Sequence, residues 1–296
     1  MKRDITERLE SIFIGSGFLQ AFAKGLKKPM EKIFQQGPGR PLKLFLNGAW
    51  LEHPLHPLLT DVVVGAWTLT LVFDLLALVL RVPNLGVASA ITVGLGILAA
   101  FGAILTGLMD WMDIDPDELA VGITHGLINI VATLFFAASF VLRWADGWTI
   151  ALASFSLALV GYLIVSLGAY IGGSLVFRMG VMVNRNAYRR SEPKDYVPVI
   201  ALKDIPDNKA IRVDAKGQPV LLVRRGEQLF AIGAVCSHYG APLEEGELKD
   251  GCIECPWHGS QFALADGSLK VGPATAPVPH YKTRVKDGQV EVKLDK

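Results

Sequence analysis

Four side chains in the last third of the sequence have the types and spacing of a metal-ligand set. Cys236 and His238 are separated by one residue, and Cys255 and His258 form a second pair separated by two residues. Thiolates and imidazoles are ligands both for iron–sulfur clusters and for zinc. The spacing therefore predicts either a [2Fe–2S] cluster, with two thiolates on one iron and two imidazoles on the other, or a structural Cys2His2 zinc site.

The segments around the two pairs favour the cluster, because a zinc site would not require them. They are Gly240-Ala241-Pro242-Leu243, Gly259-Ser260-Gln261-Phe262 and Gly272-Pro273-Ala274. With these segments, residues 196–295 resemble the Rieske ferredoxin family. That resemblance implies a [2Fe–2S] cofactor and one-electron transfer.

The resemblance also implies a role for each matching residue. Cys236 and Cys255 would bind the buried iron, and His238 and His258 would bind the iron nearest solvent. Pro273 would lie in the loop that covers the cluster. Because neutral imidazoles replace two thiolate charges, such a cluster accepts an electron more readily than an all-cysteine cluster does.

The sequence departs from the respiratory-complex branch of that family at several positions. Ala241 and Trp257 occupy the places of a disulfide, so that bridge is impossible here, in agreement with a reducing compartment. Ser260 is retained and would donate a hydrogen bond to a bridging sulfide, whereas Phe262 replaces a tyrosine hydroxyl donor. We therefore expect a potential in the lower part of the range of about −150 to +300 mV.

The other cysteine and histidine of this region are expected to be structural. Cys252 makes a Cys-x-x-Cys with Cys255, and we expect a buried thiol on a strand. His280 alone follows the cluster motifs, and the sequence has no Asp/Glu-x-x-His-x4-His run. The second iron site of a Rieske oxygenase is therefore not expected, and the sequence has no Rossmann or P-loop glycine motif either.

Composition indicates a membrane protein rather than a soluble one. The chain has 296 residues, of which 51% are hydrophobic and 19% charged, with a mean hydropathy of +0.38. The net charge of +1 excludes a strongly basic nucleic-acid binder, and three cysteines argue against a secreted disulfide scaffold. Four apolar stretches are long enough to cross a bilayer as helices: 61–80, 86–108, 119–142 and 147–177.

The positions of lysine and arginine predict how the spans are oriented. Residues 1–59 carry a net charge of +4 and residues 172–192 a net charge of +3, whereas the loops on the other side hold only Arg81 and Arg143. The positive-inside rule then places both basic flanks, and the acidic loop between the second and third spans, on the cytoplasmic face. Before the spans, residues 4–35 mix apolar and basic positions, which favours interfacial helices, with a soluble helical cap as the alternative.

His53-Pro54-Leu55-His56-Pro57 precedes the first predicted span. This element resembles the opening of a four-helix bacterial membrane family of unknown function, over roughly residues 50–180, and implies architecture rather than chemistry. His53, His56 and His125 all fall near the cytoplasmic ends of spans. They could form a haem b or quinone site, or could be structural residues that hydrogen-bond to neighbouring groups. Asp74 is expected to pair with Arg81 or Arg143.

After Arg190 the composition changes to short apolar stretches separated by turn signals, which predicts small antiparallel β-structure. We therefore predict an all-α transmembrane four-helix bundle followed by an all-β Rieske-type domain. The predicted segments are interfacial helices at 1–50, a membrane domain at 51–180, a linker at 181–195 and the cluster domain at 196–296.

The expected function is a one-electron carrier anchored in the cytoplasmic membrane, with both termini and the cluster on the cytoplasmic side. Its partners would be the bilayer and a redox protein, with no nucleic acid. The alternatives are a quinone- or haem-linked oxidoreductase subunit and an iron–sulfur redox sensor; a complete enzyme is less expected than a carrier or oxidoreductase component.

Overall fold

A computed structural model of the protein describes residues 5–35, 37–188 and 193–295. The chain groups into two compact units, one formed by Met1–Asn47 with Pro54–Val181 and the other by Gly48–His53 with Met182–Lys296. Of the predicted linker, residues 189–192 lie outside the described part of the chain.

The first unit is helical. Its α-helices are α1 (Ile5–Ile14), α2 (Gly17–Phe34), α3 (Arg40–Leu46), α4 (Leu55–Leu78), α5 (Leu85–Trp111), α6 (Leu119–Ala145) and α7 (Leu152–Phe177). Helices α4 to α7 are long and apolar enough to cross a membrane, so the prediction of four spans is confirmed. The first span begins at Leu55 rather than at residue 61, because Pro54 is extended and Pro57 falls in the first turn, where proline is tolerated.

Helices α4 to α7 carry many large apolar side chains on their outer surface, and many small residues are buried between them. Leu98 is 72% exposed and Phe101 is 61% exposed, whereas Ala132 and Ala158 are completely buried. This distribution suits a lipid environment, in which close helix packing rather than exclusion of water holds the bundle together.

The four long helices form two hairpins that repeat the same design. Helix α4 packs mainly on α5, and α6 mainly on α7. Trp67 of α4 stacks on Phe136 of α6 with ring centroids 3.9 Å apart. A Cβ atom on Gly96 would lie 2.2 Å from the Trp67 ring, and one on Gly161 would lie 3.0 Å from the Phe136 ring. Trp67 and Phe136 therefore occupy corresponding positions of the two hairpins and contact each other, which is the relation that a two-fold axis between the hairpins would produce.

A buried ion pair occupies another pair of corresponding positions. Asp74 and Arg143, both fully buried, lie 69 residues apart, the same separation as Trp67 and Phe136. The guanidinium donates to both carboxylate oxygens at 2.8 and 2.5 Å, and the Ser89 hydroxyl donates to the carboxylate at 2.6 Å. Of the two cations expected to pair with Asp74, the structure selects Arg143.

Part of the acidic segment around the end of α5 is buried rather than solvated. Asp110 accepts a hydrogen bond from Asn47 Nδ2 at 2.6 Å, and Asp113 pairs with Lys43. These contacts attach the N-terminal helices to the end of α5, a feature that the charge count along the sequence did not reveal.

The second unit is built on two antiparallel sheets. Its strands are β1 (Val197–Ala201), β2 (Ala210–Ala215), β3 (Gln218–Arg225), β4 (Gln228–Gly233), β5 (Glu247–Lys249), β6 (Cys252–Glu254), β7 (Gln261–Ala263), β8 (Leu269–Val271), β9 (His280–Lys286) and β10 (Gln289–Leu294). The larger sheet has the order β1-β10-β9-β4-β3-β2, and the smaller has the order β5-β6-β7-β8.

Two of the turn signals in the sequence form two-residue hairpin turns. Lys216 and Gly217 join β2 to β3, and Asp287 and Gly288 join β9 to β10, all with φ between 52° and 81°. Two consecutive residues at positive φ match the twist of the flanking strands. The prediction of an all-β C-terminal domain is thereby confirmed.

Candidate metal centre

Two loops with the same backbone hydrogen bonds present the predicted ligands. In the loop after β4, Cys236 N donates to Ala241 O at 2.9 Å and Gly240 N donates to Cys236 O at 3.0 Å. In the loop between β6 and β7, Cys255 N donates to Ser260 O at 2.8 Å and Gly259 N donates to Cys255 O at 3.1 Å.

Each loop has a glycine four residues after its cysteine. Gly240 has a φ of 82° and Gly259 a φ of 73°, a conformation that a side chain would strain. The two loops therefore turn in the same way, although histidine follows cysteine by two residues in one and by three in the other.

The two loops bring their sulfur atoms together. Cys236 is fully buried, Cys255 is 3% exposed, and their thiol groups are within hydrogen-bonding distance. This hydrogen bond, followed by burial, raises the pKa of Cys236, whereas the same bond lowers the pKa of Cys255. Backbone N–H groups of His238 and Tyr239 point at the first sulfur. Such donors stabilise a thiolate, which is the form that binds iron.

The two imidazoles form a second pair beside the sulfurs. The rings of His238 and His258 have centroids 5.0 Å apart and are nearly perpendicular. His238 is buried and His258 is half-buried, so the edge of the pair nearest the surface belongs to His258. Next to it, Trp257 is 55% exposed.

A third loop is attached to both ligand loops through serine hydroxyls. Ala274 N donates to Ser260 Oγ at 3.0 Å, and Ser237 Oγ donates to Ala276 O at 2.6 Å. Pro273 therefore lies in a segment held against both ligand loops. Ser260 is fully buried and, while accepting from Ala274, keeps its own hydrogen for donation.

Sequence reasoning missed Tyr239 and Arg185. The Tyr239 ring makes an edge contact with His238 at 4.6 Å and lies 5.6 Å from His258. The Arg185 guanidinium lies 5.4 Å from the centre of the Tyr239 ring, and its backbone N–H donates to Ser237 O at 3.1 Å. An aromatic residue directly after a ligand histidine was the available signal for Tyr239, whereas nothing in the local sequence marked Arg185.

Cys252 and His280 lie outside this arrangement, as predicted. Cys252 is buried on β6, where desolvation raises the pKa of its thiol. His280 begins β9, with its Nδ1 atom 3.2 Å from an Asp295 carboxylate oxygen. Phe262 is fully buried on β7 and supplies no hydroxyl.

The donor set fits a two-iron cluster because it divides into a sulfur pair and an imidazole pair. A cluster of this type needs two thiolates on one iron and two imidazoles on the other, with the remaining ligands supplied by bridging sulfides. Within residues 5–35, 37–188 and 193–295, no three His, Cys, Asp or Glu side chains are grouped so that they could hold one metal ion.

The structure brings together two of the three histidines that the sequence suggested for a haem or quinone site. His56 of α4 and His125 of α6 have ring centroids 6.2 Å apart. His53 is exposed and belongs to Gly48–His53, which groups with the C-terminal unit.

Comparison with known families assigns both parts of the chain. Residues 195–282 match the Rieske [2Fe-2S] domain, and residues 52–185 match a predicted membrane protein family, DUF2231. Both resemblances expected from the motifs are thereby confirmed.

Individual relatives match the C-terminal third. The anthranilate 1,2-dioxygenase ferredoxin subunit of Burkholderia cepacia is 37% identical over 100 residues, which is 34% of this chain and 93% of that protein. The 3-phenylpropionate/cinnamic acid dioxygenase ferredoxin subunit of Escherichia coli K12 is 37% identical over 93 residues, which is 31% of this chain and 86% of that protein.

Among solved structures, the ferredoxin of carbazole 1,9a-dioxygenase from Nocardioides aromaticivorans IC177 is 30% identical, with a TM-score of 0.33 over 36% of this chain and 100% of that one. The expected [2Fe–2S] cofactor is supported by the domain match and the ferredoxin relatives, whereas haem and quinone receive no support from them. This chain therefore belongs to the Rieske [2Fe–2S] ferredoxin family through its C-terminal domain, and it joins that domain to a DUF2231 membrane domain.

Proposed function

We propose that the protein is a membrane-anchored one-electron carrier whose cluster is held by Cys236 and Cys255 on one iron and by His238 and His258 on the other. The observation that carries this proposal is the convergence of a sulfur pair and an imidazole pair from two loops with the same hydrogen bonds. When bound, the [2Fe–2S] cluster supplies reversible one-electron oxidation and reduction.

The residues around the ligands prepare the site for that chemistry. Backbone N–H groups directed at both cysteine sulfurs stabilise negative charge on sulfur. We propose that the buried Ser260 hydroxyl adds a donor to a bridging sulfide, which favours the reduced state. Pro273 and its neighbours, held by two serine hydroxyls, keep water away from the sulfur side.

The partner is proposed to be a redox protein that docks over the His258 edge. Trp257 offers an exposed apolar contact next to that half-buried imidazole. Beside Cys255, a pocket lined by Glu245, Glu247 and Glu254 adds negative charge. The two relatives described above are named as ferredoxin subunits of dioxygenases, which supports electron exchange with a separate protein.

We further propose that the cluster domain and both termini lie on the cytoplasmic side of the inner membrane. Support comes from the charges of +4 before and +3 after four spans. The proposed division of the chain is 1–50 for interfacial helices, 51–180 for the membrane domain, 181–195 for the linker and 196–296 for the cluster domain. A GFP fusion to the C-terminus is expected to fluoresce, and a periplasm-active phosphatase at the same place is expected to be inactive. The reverse pattern would overturn this orientation.

Ligation is tested by metal analysis of the full chain purified in detergent. Variants Cys236→Ser, Cys255→Ser, His238→Ala and His258→Ala are each expected to lose acid-labile sulfide and the EPR signal of the reduced cluster. The matched controls are Cys252→Ser and His280→Ala, which remove the remaining cysteine and histidine of the same domain and are expected to retain both.

Equal sulfide content in Cys236→Ser and Cys252→Ser would overturn the ligand assignment. Far-ultraviolet circular dichroism of each variant shows whether the helical unit is intact, so loss of the cluster is separated from unfolding of that unit. A cluster that forms but shows no reversible one-electron reduction would overturn the carrier function while leaving the ligands in place.

A further inference from the structure

His56 and His125 occupy corresponding positions of the two helical hairpins. They lie 69 residues apart, as Trp67 and Phe136 do, and their rings make a nearly perpendicular contact between α4 and α6. His56 Nδ1 is 2.8 Å from Ala103 O of α5, and His125 Nδ1 is 2.8 Å from Gly168 O of α7. The same contact therefore occurs twice, once in each hairpin.

Each ring lies against a glycine of the neighbouring helix. A Cβ atom on Gly107 would lie 2.7 Å from His56 Cε1, and a Cβ atom on Gly172 would lie 2.8 Å from His125 Cε1. These glycines correspond to each other in the two hairpins, so both copies keep the space that an imidazole needs. By contrast, a Cβ atom on Gly126, next to His125, would meet nothing within 4 Å.

The hydrogen bonds determine which ring nitrogens can bind a ligand. A carbonyl oxygen only accepts, so each Nδ1 carries the hydrogen and each Nε2 carries the lone pair. Metal-bound histidines show this same arrangement, in which the non-ligating N–H donates to a carbonyl and fixes the ring. Asn129 Nδ2 donates to His125 O at 2.8 Å and lies 3.3 Å from His125 Nδ1 and 3.5 Å from His125 Nε2. Both imidazoles are half-buried.

The separation of the two rings matches ligation of a single metal from opposite sides. Two imidazoles bound in that way at about 2 Å place their ring centres about 6 Å apart; the observed centroid distance is 6.2 Å, with the planes at 84°. A metal held by two opposed imidazoles has its remaining positions in one plane, and in a haem the porphyrin nitrogens fill them.

From this geometry we infer that His56 and His125 are the two axial ligands of a haem-type iron porphyrin bound by the membrane domain. The inference is independent of the proposed function, since it uses only residues of the helical unit. The inference excludes His53, the third histidine that the sequence suggested for such a site, as an axial ligand.

The test is titration of the full chain in detergent with hemin, followed by the Soret absorbance and a pyridine haemochrome assay. The wild-type protein is expected to bind one haem per chain, and His56→Ala and His125→Ala are each expected to lose the bis-imidazole spectrum. His53→Ala is the matched control and is expected to bind as the wild type does.

A second pair of variants tests the site without removing a ligand. Gly107→Ala places a Cβ atom against the His56 ring and is expected to weaken hemin binding at least tenfold, whereas Gly126→Ala, in open space, is expected to leave it unchanged. No stoichiometric haem in the wild type, or equal uptake by the wild type and both histidine variants, would overturn the inference. Acid-labile sulfide measured on the same samples reports the cluster separately, so failure of one site is distinguished from failure of the other.

Discussion

Arg185 provides a cation close to the proposed cluster, and its removal is expected to lower the reduction potential. Its guanidinium stacks on Tyr239, and the Tyr239 ring contacts the His238 imidazole. Reduction adds one negative charge to the cluster, and a nearby positive charge stabilises that state. Arg185→Gln removes the charge but keeps the backbone N–H that donates to Ser237 O.

The magnitude follows from the distances. The Arg185 guanidinium lies 5.4 Å from the Tyr239 ring centre, which lies 4.6 Å from the His238 ring centre. The charge is therefore no more than 10.0 Å from the His238 ring centre. At that distance Coulomb's law gives about 0.4 kcal/mol in bulk water and about 1.7 kcal/mol at an effective dielectric constant of about 20. For one electron this range corresponds to about 20 to 70 mV.

The assay is a spectroscopic redox titration of detergent-purified wild-type and Arg185→Gln protein at low salt, repeated at high salt, where screening should reduce the difference. Arg284→Gln is the matched control, because Arg284 stacks in the same way on Tyr196, 4.1 Å from the ring centre, in a hairpin that supplies no proposed ligand. If Arg185→Gln shifts the potential upward, or by no more than Arg284→Gln does, the electrostatic reasoning is wrong.

Three further outcomes are expected. Ser260→Ala removes the acceptor of the buried Ala274 N–H, which should lower the free energy of unfolding by about 1–3 kcal/mol, as measured by chemical denaturation. The same substitution should also lower the reduction potential, as measured by redox titration. Asp74→Ala or Arg143→Ala leaves a buried charge unpaired and should destabilise the helical unit by about 3–5 kcal/mol. The double variant D74R/R143D exchanges the two charged residues, and it should recover most of that loss of stability in thermal unfolding. Hydrogen bonds from the side chain and backbone of Ser268 lower the pKa of Asp266 below its usual value. The ionised carboxylate therefore stabilises the fold above the usual aspartate range, and this contribution is lost as the pH falls through the lowered folded-state pKa. Asp266→Asn should show a smaller loss of stability on acidification, and an unchanged acid-unfolding profile would contradict this.

The cluster motif was predictable because its information is local. One turn supplies Cys236 and His238, and another supplies Cys255 and His258, so each half of the ligand set is a short stretch of sequence. The apolar spans were predictable for a related reason, since a helix must satisfy its own backbone and present apolar side chains along its whole length in lipid. The hairpin turns followed from consecutive residues that tolerate positive φ.

The repeat inside the membrane unit was not predicted, because few of its corresponding residues are identical. Asp74 corresponds to Arg143, and Trp67 corresponds to Phe136. The charge or size of the side chain therefore differs between the two hairpins, although each pair of corresponding residues is in contact. The shared glycines at 107 and 172, together with the two histidines, were the available signals. The buried role of Asp110 was missed because Asn47 approaches it from 63 residues away.

By itself, the sequence determined the two classes of domain, the four spans, the hairpin turns and the side chains that could bind iron, since each of these depends on neighbouring residues. Only the tertiary structure decided that Arg185 stacks on Tyr239 and that His56 meets His125 between two equivalent hairpins. The physical reason is that these contacts join residues far apart in the chain, and packing rather than local preference brings them within a few ångströms of each other.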